Sequence, residues 1–202
     1  MIAIRNCLAV FASCLALAGC SGLLSSNEPP VRRFDLQPLI ASAEHGPVVG
    51  GTLALRIRAI PGLDTDRLLT MGQDGSSNYL AGARWPDYLP EFATSLLQRG
   101  MAAGGFFSTV VAARMGARAD CDLDLEIQRF HTRLGGDQQP LSVEVRMNGQ
   151  VRCATAGAEL SLDQSEPVHG ARLADVVAAY QRAFDGISRS LYGQLSSLSP
   201  SP

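Results

Sequence analysis

Apolar and polar residues alternate without a break from Thr52 to Ile60. Leu53, Leu55, Ile57 and Ala59 fall on one side and Arg56 and Arg58 on the other, the pattern of a half-buried strand. A shorter alternation at Arg32–Pro38, with Phe34 and Leu36 on one side, predicts a first strand, followed by a glycine-containing loop over 39–51. Asp66–Trp85 reads as a hairpin around Asp74-Gly75. The period then changes. Leu89, Phe92, Ala93, Leu96, Leu97 and Met101 mark one helical face, with Asp87 as N-cap, Pro90 in the first turn and Gly104-Gly105 as the stop. The apolar run Phe106–Ala113 predicts a buried strand. Strand, helix and strand suit a right-handed crossover, so Thr52–Ile60 and Phe107–Ala112 should lie parallel in one sheet. A meander follows: strands Cys121–Arg133, Leu141–Met147 and Val151–Leu162, with turns at "GGDQQP" and "NGQ". Leu173, Val176, Val177, Tyr180, Phe184, Ile187, Leu191 and Leu195 predict a long last helix over about Ala171–Leu195. These elements make a single α/β domain with a mixed sheet, spanning 32–197, and a tail at 198–202.

The first residues follow a different logic. Arg5 precedes an apolar run, Cys7–Gly19, that is too short to cross a bilayer, which needs about 20 residues. This is the form of a secretory signal peptide over 1–19. Two cleavage sites compete. Ala16-Leu17-Ala18 fits an Ala-x-Ala site, and Leu17-Ala18-Gly19-Cys20 fills every position of a bacterial lipobox. The second requires a cysteine, whose thiolate takes a diacylglyceryl group as a thioether. We therefore read Cys20 as the lipid attachment. Ser21, where aspartate would retain the protein at the inner membrane, implies an outer-membrane destination with the domain on the periplasmic face. Residues 20–31 form a lipidated tether, whose flexible part reaches roughly 18 Å on average.

Composition removes several function classes. Hydrophobic residues make up 46% of the chain, which argues for a folded core. The formal net charge is −2, which does not suggest nucleic-acid binding. Every basic residue is arginine, so there is neither a P-loop lysine nor one for a Schiff base. His45, His131 and His169 show no metal-ligand spacing, and no Gly-x-Ser-x-Gly elbow is present. The acidic row Asp120, Asp122, Asp124 and Glu126 has a period of two. It reads as a solvated strand face rather than a calcium loop. Tyr79, Trp85 and Tyr88 are read as one aromatic cluster of the core. A hairpin turn at Asn148-Gly149 would place Val143 opposite Cys153 and leave Cys121 some 25 Å away, so the two cysteines are expected to be unpaired. No catalytic constellation and no cofactor site emerges, apart from the covalent lipid on Cys20, and the chain is read as a non-enzyme.

The order of these features resembles the ABC-type transport auxiliary lipoproteins, the PqiC-like group that works with MCE-domain proteins. The likeness runs from Cys20 to about Leu195. It rests on Phe34-Asp35-Leu36-Gln37-Pro38, the strand Leu53–Ile60, Arg67, Tyr79 and Trp85, the helix Leu89–Gly105, Phe106–Val111, and Ala119-Asp120 through Ile127 and Phe130. Cys121 stands where the group usually has tyrosine. The resemblance implies a three-layer α/β sandwich similar to the N-terminal domain of TolB, with the long last helix packed on the sheet. It also implies an accessory role in intermembrane lipid transport, with an MCE-domain periplasmic protein as partner and, through it, an inner-membrane permease and ATPase. The resemblance carries no catalytic residues. A homo-oligomer is compatible with it. The exposed hairpin tip, Gln73, Asp74, Gly75, Ser76, Ser77 and Asn78, is the candidate partner contact. Two other classes stay open on sequence alone: a lipid-carrying lipoprotein, which needs a deep apolar cavity, and a cell-envelope enzyme, which needs convergent polar groups in a cleft.

Overall fold

The spine of the molecule is β6 (Cys121–Leu134), in which Leu123, Leu125 and Ile127 alternate with Asp122, Asp124 and Glu126 and so require one dry and one wet face. The computed structural model describes residues 30–40, 51–113 and 118–198. Along one edge β6 pairs antiparallel with β7 (Pro140–Cys153), which pairs in turn with β8 (Gly157–Pro167). Its other edge is shared. Cys121–Ile127 pairs in parallel with β2 (Thr52–Ala59), and His131–Arg133 pairs in parallel with β3 (Arg67–Met71). Outside β2 lies β5 (Thr109–Ala112). Outside β3 lie β4 (Ser77–Arg84) and then the two-residue β1 (Arg32–Arg33). The sheet is thus mixed and, among the described residues, has eight strands.

The crossover is parallel, as the pattern requires: Leu53 stands opposite Val110 and Leu55 opposite Ala112. Its helix is α1 (Leu89–Gly104), ended by Gly105 in the left-handed region at φ 70°. Tyr88, not Asp87, occupies the N-cap, and the Asp87 carboxylate accepts the Tyr88 N–H at 2.8 Å. The last helix is α2 (Leu173–Ser196).

Among the described residues, α1 and α2 cover the same face of the sheet. Trp85, 1% exposed, stacks on Phe92 of α1 with centroids 5.4 Å apart and meets Tyr180 of α2 edge-on at 5.0 Å. Phe130 of β6 completes the cluster, and Phe106 stacks on Tyr192 farther along α2. The described residues therefore form two layers, one fewer than the resemblance implied. The expected aromatic cluster divides. Trp85 is in the core, Tyr79 lies on the helix-free face under Arg67, and Tyr88 is 55% exposed.

The meander departs from expectation at its middle. β7 runs straight through Asn148-Gly149-Gln150, and the chain turns instead at Ala154–Ala156, where Cys153 N–H donates to the Ala156 carbonyl at 2.7 Å. Gly149 is there for proximity, not for a turn: a Cβ at this position would overlap the carbonyl oxygen of Asp124 on β6. Because β7 does not reverse, Cys121 and Cys153 stand directly opposite each other, with Cα atoms 4.1 Å apart, and form a disulfide. The expectation of two free thiols is overturned. A second irregularity lies between Ile127 and Arg129. One extra residue on β6 there leaves Ile127 opposite Met147 and Arg129 opposite Arg146, and Arg146 pairs with Asp163 of β8.

Candidate functional site

The tip of the β3–β4 hairpin is exposed from Gln73 to Asn78 and internally braced. Gly72 N–H donates to the Ser76 carbonyl at 2.8 Å, and Gly75 N–H donates to the Gly72 carbonyl at 3.1 Å. Gly75 has φ 81°, a conformation that excludes most side chains. The Asp74 carboxylate accepts the Ser76 hydroxyl at 2.6 Å and the Ser76 N–H at 3.0 Å, which holds its pKa below the usual carboxylate value. The β6–β7 turn lies alongside: a Cβ on Gly136 would stand 3.6 Å from Gln73 Oε1. This turn is closed in the same way, by the Asp137 carboxylate accepting Gln139 N–H at 3.1 Å. Two preformed tips therefore share one end of the sheet. Of the six candidate contact residues, Asp74, Gly75 and Ser76 build the turn, while Gln73, Ser77 and Asn78 flank it.

The helix-free face carries the charged side chains. Asp124 lies between Arg56 at 3.0 Å and Arg152 at 3.4 Å, and Asp120 accepts the Thr52 N–H at 2.7 Å, closing the start of β2. Of the acidic row, Asp124 is thus spent on ion pairs and Asp120 on a strand start. Farther along the sheet, Glu144 of β7 gathers three β6 side chains: Arg133 at 3.2 Å, Arg129 at 3.5 Å and His131 Nε2 at 3.5 Å. His131 is 7% exposed. Burial lowers its pKa and outweighs the opposing pull of Glu144, so the ring is neutral near pH 7. This cluster was hidden in the sequence. Its signal is the period-two series Arg129, His131, Arg133, and only the register shows that Glu144 faces all three.

Open depressions indent the described surface. One, of about 260 Å³, lies over Gly149 between Arg58, Glu126, Asn148 and Glu159. Another, of about 300 Å³, lies between β2 and the first turns of α1, against Arg56, Glu91, Thr94 and Gln98. The helix-facing side is filled by a continuous cluster of buried side chains from Leu36 to Leu195. Among the described residues, no three of His, Cys, Asp and Glu are placed to hold a metal ion. No described helix is long and apolar enough to cross a membrane. Cys20 and the rest of 1–29 lie outside the described residues.

Residues 41–191 match the family model for the ABC-type transport auxiliary lipoprotein component. No curated protein matches the chain in sequence. Among solved structures, protein XCC0632 from Xanthomonas campestris, of family DUF330, superposes with a TM-score of 0.71 at 18% identity, covering 83% of this chain and 96% of its own. An uncharacterized protein superposes with a TM-score of 0.65 at 12% identity, covering 83% and 100%. The hypothetical protein CT253 from Chlamydia trachomatis gives 0.50 at 12% identity, covering 73% and 99%. At such identities the likeness is one of fold.

Proposed function

This chain belongs to the ABC-type transport auxiliary lipoprotein family, and from that premise we propose that it is a non-catalytic docking subunit of an intermembrane lipid-transport system. In this reading the lipid on Cys20 fixes the domain to the periplasmic face of the outer membrane. The domain then holds an MCE-domain protein, whose inner-membrane end carries the permease and ATPase. The observation that carries the reading is the family match over 41–191, joined to the complete lipobox at Cys20. The filled core and braced tips support docking over lipid carriage, since a carrier needs apolar volume and a dock needs a preformed surface. Anchoring raises the effective concentration of even a weak contact into the mM range when the tether suits the span.

Two measurements test the proposal. Fatty-acid labelling should mark the wild type and not Cys20→Ala. The MCE-domain protein should co-purify with the wild type from solubilised membranes, and much less with a chain whose Gln73, Ser77 and Asn78 are all changed to alanine. An MCE-domain protein that never co-purifies, or full rescue of an envelope-permeability defect by secreted Cys20→Ala at native abundance, would remove the mechanism.

A further inference from the structure

The strand register lines up arginines across the helix-free face. Arg33 of β1 stands opposite Arg84 of β4, and Arg84 opposite Arg67 of β3. Leu69 of β3 pairs with His131 of β6, and Arg67 and Arg129 stand two residues earlier on the two strands, just before that pairing begins. Arg129 stands opposite Arg146 of β7. Five neighbouring strands thus contribute one arginine each to a row running across them. At about 4.8 Å per strand the row is roughly 19 Å long. The neighbouring residues Leu68, Trp85 and Phe130 are in the core, so these arginines project to the opposite side.

Like charges placed directly opposite destabilise a sheet, so the fold alone gives no reason for this row. Compensation is partial. With Arg133 there are six arginines, and three carboxylates pair with them: Asp66 with Arg84, Asp163 with Arg146, and Glu144 with Arg129 and Arg133. Arg33 and Arg67 have no carboxylate within ion-pair distance among the described residues; Arg67 lies over the Tyr79 ring at 4.2 Å. The remainder of the face is different. Arg56 and Arg152 there both pair with Asp124, Arg58 stands opposite Glu126, and Arg152 stands opposite Asp122. A chain of net charge −2 therefore gathers uncompensated positive charge in one band.

We propose that this arginine band rests on the anionic phospholipid headgroups of the leaflet that holds the lipid of Cys20. Three observations select a membrane as the occupant. Among the described residues, the band lies on a sheet face free of helices, a shape that suits a surface. It begins at β1, where the chain arrives from the tether, with Val31 beside it 51% exposed. Its charge is complementary to phosphate. The choice of a membrane rests on the anchored reading above, but the contact itself needs no acyl chain. The anchor would hold the domain near the leaflet, and the band would set which side faces it, leaving the helix-covered side toward the periplasm.

The test uses secreted Cys20→Ala protein, which carries no acyl chain, and two sets of vesicles. One is phosphatidylcholine alone; the other mixes phosphatidylethanolamine and phosphatidylglycerol at about three to one. Binding to the anionic set beyond the neutral set is the readout. Each arginine near an anionic leaflet contributes roughly a fivefold gain in partitioning. The triple variant Arg33→Gln, Arg67→Gln, Arg129→Gln should therefore lose about a hundredfold, and the same three positions as lysine should retain binding. Arg56→Gln, Arg58→Gln, Arg152→Gln removes equal charge from the other end of the face and should retain most binding. Equal binding of wild type to both vesicle sets, or equal loss in the two glutamine variants, would overturn the proposal. Fatty-acid labelling of Cys20 is scored separately, so failure of the band and failure of the anchor are told apart.

Discussion

Reducing the Cys121–Cys153 disulfide should lower stability by an amount that its position in the chain sets. The bond closes a loop with a sequence separation of 32 residues. In the chain-entropy account, a closure of that length stabilises by about 3.7 kcal/mol at 25 °C. The bond sits at the end of β6 and β7 opposite their connecting turn at Gly135–Gln139, so turn and disulfide together close the longest hairpin in the sheet. For a domain of this size each kcal/mol moves Tm by about 2–4 °C, so the Cys121→Ala, Cys153→Ala double variant should melt about 8–15 °C lower than the oxidised wild type. Circular dichroism melts with and without reductant, on wild type and double variant, provide the assay. Reductant should lower the wild-type curve to that of the variant and leave the variant unmoved. Alkylation of Cys121 and Cys153 in unreduced, denatured protein would refute the register. Unchanged melting with the bond verifiably present would refute the entropic estimate.

Three further outcomes follow from the packing and the charges. Gly149→Ala should destabilise by about 1–3 kcal/mol in denaturant titrations, because its Cβ has no space against the Asp124 carbonyl; a neutral effect would mean that β6 and β7 can separate locally. Trp85→Ala should cost about 3–5 kcal/mol, since the ring touches both helices and β6. His131 has its native pKa held below 6.5 by burial, so the unfolded chain binds the proton first as pH falls. Stability should then decline below about pH 6.5 and level off once the native ring is also protonated, and His131→Gln should flatten that slope.

The elements that sequence conveyed best are those whose period stands alone. The alternation of Leu53, Leu55 and Ile57 and the stripe Leu89 to Met101 each specify a face without reference to any other strand, and the parallel crossover follows from them. Asp74-Gly75 was legible as a tip because the turn chemistry is local. Gly149 was not, since a glycine that opens a turn and one that admits a neighbouring backbone look alike in sequence, and the disulfide was lost with it. The extra residue near Gln128 breaks the alternation only once, yet it reassigns every cross-strand partner beyond it. The Glu144 cluster and the arginine row depend on that register, so they became visible only once the strands were paired.

The shared edge of β6 has a consequence for how the chain reaches this fold. β2 and β3 are both complete by Met71, yet the strand that joins them begins at Cys121. As the chain emerges from its N-terminus, their edges stay bare until the second half has been made. Long-range parallel pairing of this kind is slow to form and exposes strand edges meanwhile. A chain truncated before β6 should therefore hold two separate strand groups, β1–β4–β3 and β2–β5, with bare facing edges, rather than a smaller folded unit. Once β6 arrives, its pairing unites the two halves in a single step.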